Sequence, residues 1–445
     1  MPTIAFTTLG CRVNQYDTDS MRGLFAAAGY EEADFSGPAD VYVINTCSVT
    51  HVGEKKSRQI IRRAKRNNAD GLVIVTGCYA QLSPDVLSAI PGVDAVIGTN
   101  ERKRIVQVVE SLRNERSGRT VRAVHDIMGR DEFEEIPLYP SAVEHTRADL
   151  KIQEGCNNFC AYCIIPYTRG SLKSRQPDAV IEEAKRLSAA GFKEIVLTGI
   201  HLGAYGMDLP DRPTLALVLK RLLAETDIAR IRMGSIESVE IGDDLVEAIN
   251  SSSRICPHLH LPMQSGSDEI LKSMKRHYTK EEYILLIEDL HKKIKDLTVS
   301  TDLILGFPGE TDELFGETMD TLKRLKFSHI HAFPYSPREG TPAAQMENQV
   351  SSDVKKKRVE TVNALSKEQK EEILDGMIGK TVHVLIEEVK GTTVEGFSEQ
   401  YERIRAEVPT AYTSGRIIKI LLTGRDGTIL TGVEKERSEE RRVGK

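Results

Sequence analysis

Short apolar runs and helix-like stretches alternate along most of this 445-residue chain. The alternation runs from residue 3 to about residue 115 and begins again at Ala148. It predicts two α/β units, because strands that alternate with helices form parallel sheets covered by helices. The first unit, 1–115, is expected to be a doubly wound parallel-sheet domain. The second, 148–375, has six strand-helix units in series and is expected to be a partial (β/α)6 barrel.

The other segments of the chain have different patterns. The segment 116–147 is charged, poor in apolar residues and without a clear period, so we expect a linker. The segment 376–434 contains only strand and turn patterns, which predict a small all-β barrel. The final segment, 435–445, is the charge run KERSEERRVGK and is expected to be a solvated tail.

Three of the seven cysteines form a compact triad in EGCNNFCAYCIIPYTRG, just after the first strand of the second unit. The compact triad is Cys156, Cys160 and Cys163, with the spacing C-x3-C-x2-C. Three thiolates this close together can bind three irons of a 4Fe-4S cluster and leave the fourth iron open. The alternatives to an iron-sulfur cluster are that the triad binds zinc or that its cysteines are free thiols. Structural zinc normally has four ligands, and no fourth Cys or His lies nearby in the sequence.

Three further cysteines form a dispersed triad in the first unit: Cys11, Cys47 and Cys78. They lie in TLGCRVN, INTCSVT and VTGCYAQ, each directly after a strand-like run. In a parallel sheet these residues would project from the same edge and could converge, because each strand-helix repeat takes roughly thirty residues. The pattern predicts a second metal centre. The alternative is three buried apolar cysteines.

The seventh cysteine, Cys256, lies in SRICPHLHLPMQ. His258 and His260 beside it would suit a metal in isolation, but strand alternation puts both histidines on one face. We therefore expect Cys256 to be a buried thiol that takes no part in either centre.

Taken together, LGCRVNQYD, NTCSVT, GCYAQ and CNNFCAYCIIPYTRG, followed by a strand-rich tail, resemble the methylthiotransferase family of radical S-adenosylmethionine enzymes over almost the whole chain. The resemblance implies that the compact triad holds a 4Fe-4S cluster whose open iron binds S-adenosylmethionine. It implies an auxiliary 4Fe-4S cluster on the dispersed triad and an RNA-binding barrel, called TRAM, in the tail. In this family one cofactor molecule methylates sulfur associated with the auxiliary cluster, and a second yields the radical that activates the substrate carbon.

The family's substrates are isopentenyl-adenosine or threonylcarbamoyl-adenosine in tRNA, or an aspartate of a ribosomal protein. LGCRVNQYDTD and ICPHLHLPMQSGSD are most similar to the threonylcarbamoyl-adenosine branch, which implies methylthio addition at carbon 2 of adenosine 37 in ANN-decoding tRNAs. The implied partners are a tRNA anticodon stem-loop and an electron donor such as flavodoxin or ferredoxin. An alternative of another class is a non-enzymatic iron-sulfur protein for electron transfer or RNA binding. An electron-transfer protein needs neither an open iron nor a barrel mouth large enough for a cofactor. The compact triad, together with the motifs LTG and GFPGE, therefore favours catalysis.

Polar residues at the ends of the barrel strands are candidates for the cofactor pocket. The candidates are Thr198, Gly199, Arg175, Glu237, Gln264 and Asp302. Thr198 and Gly199 lie in LTGIHLGAYG, where the family's backbone holds the methionine amino group. Arg175 could pair with the cofactor carboxylate, since guanidinium and carboxylate groups form two-point contacts. The alternative for each candidate is helix capping or structural hydrogen bonding.

Two basic regions are candidates for RNA contact. The predicted helix from 54 to 66 carries seven cations just beyond Cys47, among them Lys55, Arg58, Arg62 and Arg66. The alternative is that these cations form a solvated face of the helix and contact no RNA. The tail contributes Arg403 and Arg405, which alternate with acidic residues.

Composition narrows the class of protein further. The net charge of -6 gives no general attraction to nucleic acid, and the absence of Trp argues against a base-stacking platform. No leader sequence opens the chain and no apolar run could span a membrane, so we expect a cytoplasmic protein. In that reducing compartment the cysteines are expected to be ligands or buried thiols rather than disulfides.

Overall fold

The computed structural model describes residues 1–115, 118–129, 132–143, 145–409 and 411–435. In the N-terminal domain the strands are β1 Thr3–Thr8, β2 Glu31–Glu32, β3 Val41–Thr46, β4 Leu72–Gly77, β5 Ala95–Ile97 and β6 Val121–Ala123. Its helices are α1 Arg12–Ala27, α2 His51–Asn67, α3 Cys78–Leu82, α4 Pro84–Ser88 and α5 Ile105–Asn114. The six strands form one parallel sheet in the order β2-β1-β3-β4-β5-β6.

Helices cover both faces of this sheet. Val43 and Ile74 pack in the core on one face, and their neighbours Tyr42 and Val73 pack in the core on the other. Every residue of β3 and β4 is buried for this reason. The doubly wound parallel sheet predicted from the alternating pattern is confirmed.

The segment 116–147 is not a plain linker, because it contributes β6 to the sheet. β6 has only three residues and one of its side chains is exposed, so the sequence carries too short an alternating pattern to reveal it. Ile136 and Leu138, further along the same segment, are also buried.

The central domain has eight strands and eight α-helices within the described ranges. The strands are β7 Ala148–Lys151, β8 Gln153–Glu154, β9 Lys173–Ser174, β10 Glu194–Thr198, β11 Arg230–Met233, β12 His258–His260, β13 Thr298–Leu305 and β14 His329–Pro334. The helices are α6 Ile165–Arg169, α7 Pro177–Ala189, α8 Leu215–Glu225, α9 Asp243–Asn250, α10 Asp268–Ser273, α11 Lys280–Lys293, α12 Asp312–Arg324 and α13 Ser352–Asp375. Short 3-10 turns occur at Arg102–Arg104, Pro140–Ala142, Leu202–Ala204, Ser238–Glu240 and Pro342–Gln345.

Six of these strands form the partial barrel. β7, β10 and β11 make one parallel sheet, and β12, β13 and β14 make another. Parallel bridges from Ile231 to Ile255 and from Ser235 to His260 join the two sheets. The predicted partial (β/α)6 barrel is therefore confirmed. The short antiparallel pair β8 and β9 lies outside this row and closes the base of the loop that carries the compact triad.

Residues along the barrel strands alternate between two environments. Leu259, Val299 and Ile330 pack in the core beneath the helices. Their neighbours His260, Ser300 and His331 therefore point to the interior of the barrel, because successive strand residues face opposite sides.

The terminal domain is a closed five-stranded barrel with the strands β15 Thr381–Lys390, β16 Thr393–Ser398, β17 Arg403–Glu407, β18 Ile417–Asp426 and β19 Ile429–Glu434. The strands follow the order β15-β16-β17-β19-β18 and enclose apolar side chains such as Ile386, Ile404 and Leu430. This confirms the predicted small all-β barrel. Most of the predicted charged tail, residues 436–445, lies outside the described residues.

The terminal barrel docks on the amino ends of the central strands. Arg232 donates hydrogen bonds to the main-chain carbonyls of Ser398 and Glu399, at 3.0 and 3.1 Å, and Arg230 donates to the carbonyl of Phe397. Both guanidinium groups also pair with the buried carboxylate of Glu194. The opposite, carboxyl ends of the strands remain for the loops that carry the candidate site. In the described part of the chain, no helix is long and apolar enough to cross a bilayer.

Candidate metal centres

Each cysteine of the dispersed triad lies at, or within three residues of, the end of a strand of the N-terminal sheet. Cys11 caps the start of α1, Cys47 follows β3, and Cys78 is the first residue of α3. Their strands β1, β3 and β4 are neighbours, so the three residues lie at one edge of the sheet. Gly10 packs so closely here that a Cβ added to it would lie 3.2 Å from Cys47 Sγ, and its φ of +105° also favours glycine.

The thiols of the dispersed triad interact electrostatically. Burial, together with nearby Cys78 and Cys11, raises the pKa of Cys47 to about 11. Without a metal this thiol is protonated at neutral pH. Iron binding would therefore release its proton, as metal binding to cysteine generally does. The ligand role of the dispersed triad remains a prediction that this geometry fits.

The compact triad lies on the loop between β8 and β9. Gly155 begins the loop with φ +73°, and a Cβ added there would lie 1.8 Å from the carbonyl oxygen of Ser171, so only glycine fits before Cys156. The Cys163 N–H donates to the Cys160 carbonyl at 2.9 Å, which turns the loop back on itself. Burial raises the pKa of Cys163 to about 12, and Cys160 and Cys156 contribute to the rise. The three thiols thus share one small volume, as three ligands of one cluster must.

A buried charge network fills the space between the N-terminal domain and the central barrel. It consists of four cations and three carboxylates: Arg102, Lys151, Arg169, Lys173, Asp17, Glu134 and Glu154. Burial alone would raise the pKa of Glu154, but Lys151, Arg102 and Arg169 hold it well below its usual value. The network therefore has an excess of positive charge. An anionic cluster held by thiolates would balance that excess, so the donor set and its surroundings fit a cluster on the dispersed triad.

Arg169 connects the two triads. It belongs to the YTRG stretch that follows the compact triad, yet its Nε donates to Cys78 Sγ of the dispersed triad at 3.3 Å. Its other guanidinium nitrogens bond Asp17, Glu154 and Asn14. From the sequence this arginine is only one residue of a motif with no assignable role, because its partners come from distant parts of the chain.

Two side chains that the sequence analysis did not select contact the compact triad. Arg276 Nη1 donates to Cys160 Sγ at 3.4 Å, and His201 Nδ1 lies 3.5 Å from Cys156 Sγ. His201 lies within LTGIHLGAYG and could have been chosen from that motif. Arg276 lies in no motif that would have marked it. Hydrogen bonds to cluster sulfurs are one means by which a protein tunes an iron-sulfur centre.

Three of the predicted cofactor residues, Thr198, Gly199 and Glu237, lie at the carboxyl ends of barrel strands or just after them. Thr198 ends β10, and Gly199 packs against Gln153, whose amide donates to the Gly155 carbonyl at the start of the compact-triad loop. Glu237 pairs with Arg276 and so reaches Cys160 through that arginine. These positions fit a pocket beside the compact triad.

Gln264 and Asp302 are joined through the backbone. The Gln264 N–H donates to the Asp302 carbonyl at 2.8 Å, and Gln264 has φ +63°, an uncommon conformation for a residue with a side chain. The Asp302 side chain points into the barrel interior, where Oδ2 lies 3.1 Å from His260 Nε2. Their predicted contacts to the cofactor remain untested by this arrangement.

Arg175, another predicted cofactor residue, is held in ion pairs with two glutamates. Its guanidinium is buried between Glu183 and Glu135, with Nη2 3.0 Å from Glu183 Oε2 and Nε 2.9 Å from both oxygens of Glu135. These ion pairs occupy Nε and Nη2, while the buried Nη1 has no hydrogen-bond partner within the described residues; the pairs favour the structural alternative for Arg175, and its cofactor contact stays a prediction.

A cavity of about 510 Å³ opens beside the dispersed triad. It lies between the N-terminal domain, the start of β7 and the terminal barrel, and its lining includes Cys11, Arg12, Arg147, Asp149 and Glu387. All three domains therefore contribute to the surroundings of Cys11.

The predicted RNA-binding residues differ in how free their charges are. Lys55, Arg62 and Arg66, here called the α2 cations, are exposed on α2. Arg58 instead donates to Tyr79 Oη at 2.8 Å and is half-buried. Arg403 and Arg405, here called the terminal-barrel arginines, both pair with Glu395. Among these candidates, the cations without a carboxylate partner in the described part of the chain are therefore those on α2, beyond the Cys47 loop.

Comparison with known proteins agrees with this architecture. Residues 3–98 match the family described as Uncharacterized protein family UPF0004, and residues 150–322 match the Radical SAM superfamily. The structure of the radical S-adenosylmethionine methyltransferase TsrM from Kitasatospora setae covers 77% of this chain and 77% of its own, with a TM-score of 0.57 and 16% identity, which shows a shared fold.

Two curated relatives match along nearly their whole lengths. The chain is 46% identical to threonylcarbamoyladenosine tRNA methylthiotransferase MtaB of Bacillus subtilis, over 100% of both proteins. It is 36% identical to tRNA-2-methylthio-N(6)-dimethylallyladenosine synthase of Pelotomaculum thermopropionicum, over 95% of this chain and 96% of the relative.

The barrel fold and the superfamily match around the compact triad define a radical S-adenosylmethionine enzyme, a class that uses a 4Fe-4S cluster and S-adenosylmethionine. Within that class, the chain belongs to the methylthiotransferase family, as the identity to its members over full length shows. The resemblance drawn from the cysteine motifs is thereby confirmed.

Proposed function

We propose that this protein adds a methylthio group to carbon 2 of N6-threonylcarbamoyladenosine at position 37 of ANN-decoding tRNAs. The observation that carries the substrate is the 46% identity, over both full lengths, to the Bacillus subtilis enzyme named for that nucleoside. The second candidate is N6-dimethylallyladenosine, because the Pelotomaculum thermopropionicum relative named for it is 36% identical. A tRNA substrate would place the reaction in the cytoplasm.

The two cysteine triads support a division of labour. The compact triad would hold the cluster that binds S-adenosylmethionine, and the dispersed triad would hold an auxiliary cluster concerned with sulfur. When bound, the cluster and its cofactor supply the radical that activates the substrate carbon. Glu237 would orient Arg276 against Cys160 Sγ, and Arg169 would balance charge at Cys78.

The proposed partners are a tRNA anticodon stem-loop and an electron donor such as flavodoxin or ferredoxin. The exposed α2 cations support RNA contact next to the dispersed triad, since lysine and arginine side chains bind phosphates without regard to sequence. The small terminal barrel, which resembles TRAM, would extend that contact.

The substrate is tested by mass spectrometry of tRNA nucleosides from a deletion strain with and without this chain. We expect 2-methylthio-N6-threonylcarbamoyladenosine only when the chain is present, and an unchanged level of the methylthio derivative of isopentenyl-adenosine. Restoration of the isopentenyl derivative instead would overturn the substrate assignment.

The division of labour is tested with three cysteine variants of the purified enzyme. Cys47→Ala should still release 5'-deoxyadenosine from S-adenosylmethionine but should not thiolate tRNA, whereas Cys160→Ala should do neither. Cys256, buried and remote in sequence from both triads, provides the control: Cys256→Ala should retain both activities. Equal loss of both activities in Cys47→Ala would contradict the division, and a parent enzyme that releases no 5'-deoxyadenosine would favour a non-enzymatic iron-sulfur protein.

A further inference from the structure

Three side chains from adjacent strands meet inside the central barrel, away from both cysteine triads in the sequence. They are His260 of β12, Asp302 of β13 and His331 of β14, and their ligand-type atoms all lie within 4.8 Å of one another. Strand register explains the meeting. Asp302 pairs directly with His331 across β13 and β14, and His260 pairs with Ser300, two residues before Asp302 on the same face.

We propose that His260, Asp302 and His331 form a binding site for a divalent transition metal ion. Two imidazoles and one carboxylate are the donor set of many open metal sites, in which solvent or a substrate fills the remaining positions. Such a site differs in donor chemistry from the cysteine triads, which supply only sulfur.

The distances are already close to those of a metal site. With metal-ligand distances of about 2.1 Å, neighbouring ligand atoms lie roughly 3 to 3.5 Å apart. His260 Nε2 and Asp302 Oδ2 have that spacing at 3.1 Å, so the ring of His331 is the group that must approach. His331 is exposed on the edge strand β14, where its ring contacts those of His329 and Phe333, and a change of side-chain rotamer would bring it closer.

The orientation of His260 also suits a ligand. Its Nδ1 lies 2.9 Å from Ser300 Oγ, and this contact directs Nε2 toward Asp302. Metal-bound histidines commonly use their second ring nitrogen in this way, and the partner fixes both the ring position and the tautomer. Ser300 would therefore be a positioning residue, held in turn by His258 Nε2 at 3.1 Å.

The site opens toward the interior of the barrel. The His260 side chain is 15% exposed and the Asp302 side chain 29% exposed, so a bound ion would keep access to solvent or to a molecule inside the barrel. The carboxylate supplies one negative charge against the two positive charges of the ion, and small oxygen or nitrogen groups would complete the coordination. This gives Asp302 a ligand role in place of the cofactor contact expected from the sequence.

The test measures zinc and iron in the same samples of anaerobically purified enzyme that carries its iron-sulfur clusters. The protein is titrated with Zn²⁺ against a competing chelator, and metals per chain are then counted by inductively coupled plasma mass spectrometry. We expect about one zinc per chain, and an affinity at least about tenfold lower in His331→Ala and in Asp302→Asn, because even second-shell changes cost about 10- to 100-fold. Iron should not change.

His383→Ala is the matched control. His383 is an exposed histidine on the terminal barrel with its own carboxylate neighbour, Glu399, at 3.4 Å, so its loss should leave zinc binding unaltered. Zinc-edge X-ray absorption then identifies the ligands: nitrogen and oxygen at about 2.0 to 2.2 Å support the site, whereas a sulfur shell near 2.3 Å would assign the zinc to cysteines and overturn it.

Equal zinc affinity in the parent and His331→Ala would also overturn the site, as would a parent that binds no zinc. If Asp302→Asn also loses iron, its zinc result could reflect a disturbed fold, and His331→Ala then provides the test. An exposed residue on an edge strand can be truncated without disturbing the core.

Discussion

Arg169→Met should destabilise the protein and impair the centre at the dispersed triad. Methionine keeps much of the length of arginine but removes its charge and all its donors. The buried guanidinium bonds Asp17 at 2.8 Å and also bonds Glu154, Asn14 and the Cys78 sulfur. The substitution therefore takes one cation from two buried carboxylates at once.

The magnitude follows from the partners that remain. Removing one member of a buried ion pair costs about 3–5 kcal/mol, because the other charge is left without compensation. Asp17 and Glu154 keep Arg102 and Lys151, with Lys151 Nζ at 2.5 Å from Asp17 and 3.3 Å from Glu154. We therefore expect a loss at the lower end of that 3–5 kcal/mol range, about 3 kcal/mol in the free energy of unfolding.

Urea denaturation under anaerobic conditions, followed by circular dichroism, measures this loss, and iron analysis measures the centre. If each triad holds one 4Fe-4S cluster, iron should fall from about eight to about four per chain. Arg221→Gln is the control, because Arg221 forms surface pairs with Asp178 and Glu225, and surface pairs contribute at most about 1 kcal/mol. A stability within about 1 kcal/mol of the parent, together with full iron, would refute the role given to Arg169.

Three further predictions concern other parts of the molecule. Glu237→Gln should slow 5'-deoxyadenosine formation about 10- to 100-fold with iron retained, because it loosens Arg276 beside Cys160; an unchanged rate would contradict this. Glu194 is buried, which alone would raise its pKa, but Arg232 and Arg230 lower the pKa to about 2. Its stabilising effect is therefore present above the ordinary glutamate pKa of about 4.5 and is lost as the pH falls toward about 2. In Glu194→Gln the midpoint of urea unfolding should therefore depend less on pH between those two values than in the parent. The same pH dependence in both proteins would count against the pairing. Replacing the three α2 cations with alanine should reduce the slope of the logarithm of the tRNA binding constant against the logarithm of salt concentration by about 2 to 3, as measured by filter binding. Replacing the paired terminal-barrel arginines should reduce this slope less. The reverse order would place the main contact on the terminal barrel.

The sequence predicted what repeats locally and missed what depends on distant pairing. Cys11, Cys47 and Cys78 could be placed at one sheet edge, because each follows a strand in a regular strand-helix repeat. The sequence could not reveal that Arg169 reaches Cys78, since the two residues are brought together only when the domains dock. The same limit explains Arg175: its motif suggested a free guanidinium, and only the fold shows Glu183 and Glu135 around it.

The meeting of His260, Asp302 and His331 could not be foreseen for a related reason. Each residue taken alone has an ordinary strand pattern. Their convergence depends on the register of three parallel strands, which the helices between them separate widely in sequence.

The attachment of the terminal barrel has a consequence for how this chain can change. Arg230 and Arg232 bind main-chain carbonyls of the segment 397–399, so almost any side chains there would satisfy them provided the backbone keeps its path. Substitution in that segment is nevertheless restricted by other contacts, because Ser398 is fully buried and the Phe397 ring packs against Arg147 and Tyr401. Removal of the whole barrel would expose Leu374, which packs in the barrel core, and would leave Arg230 and Arg232 with Glu194 and solvent in place of those carbonyls. A chain shortened at residue 376 should therefore be less stable than the full chain, and a substitute barrel should restore the contact only if its backbone reproduces the path of residues 397–399.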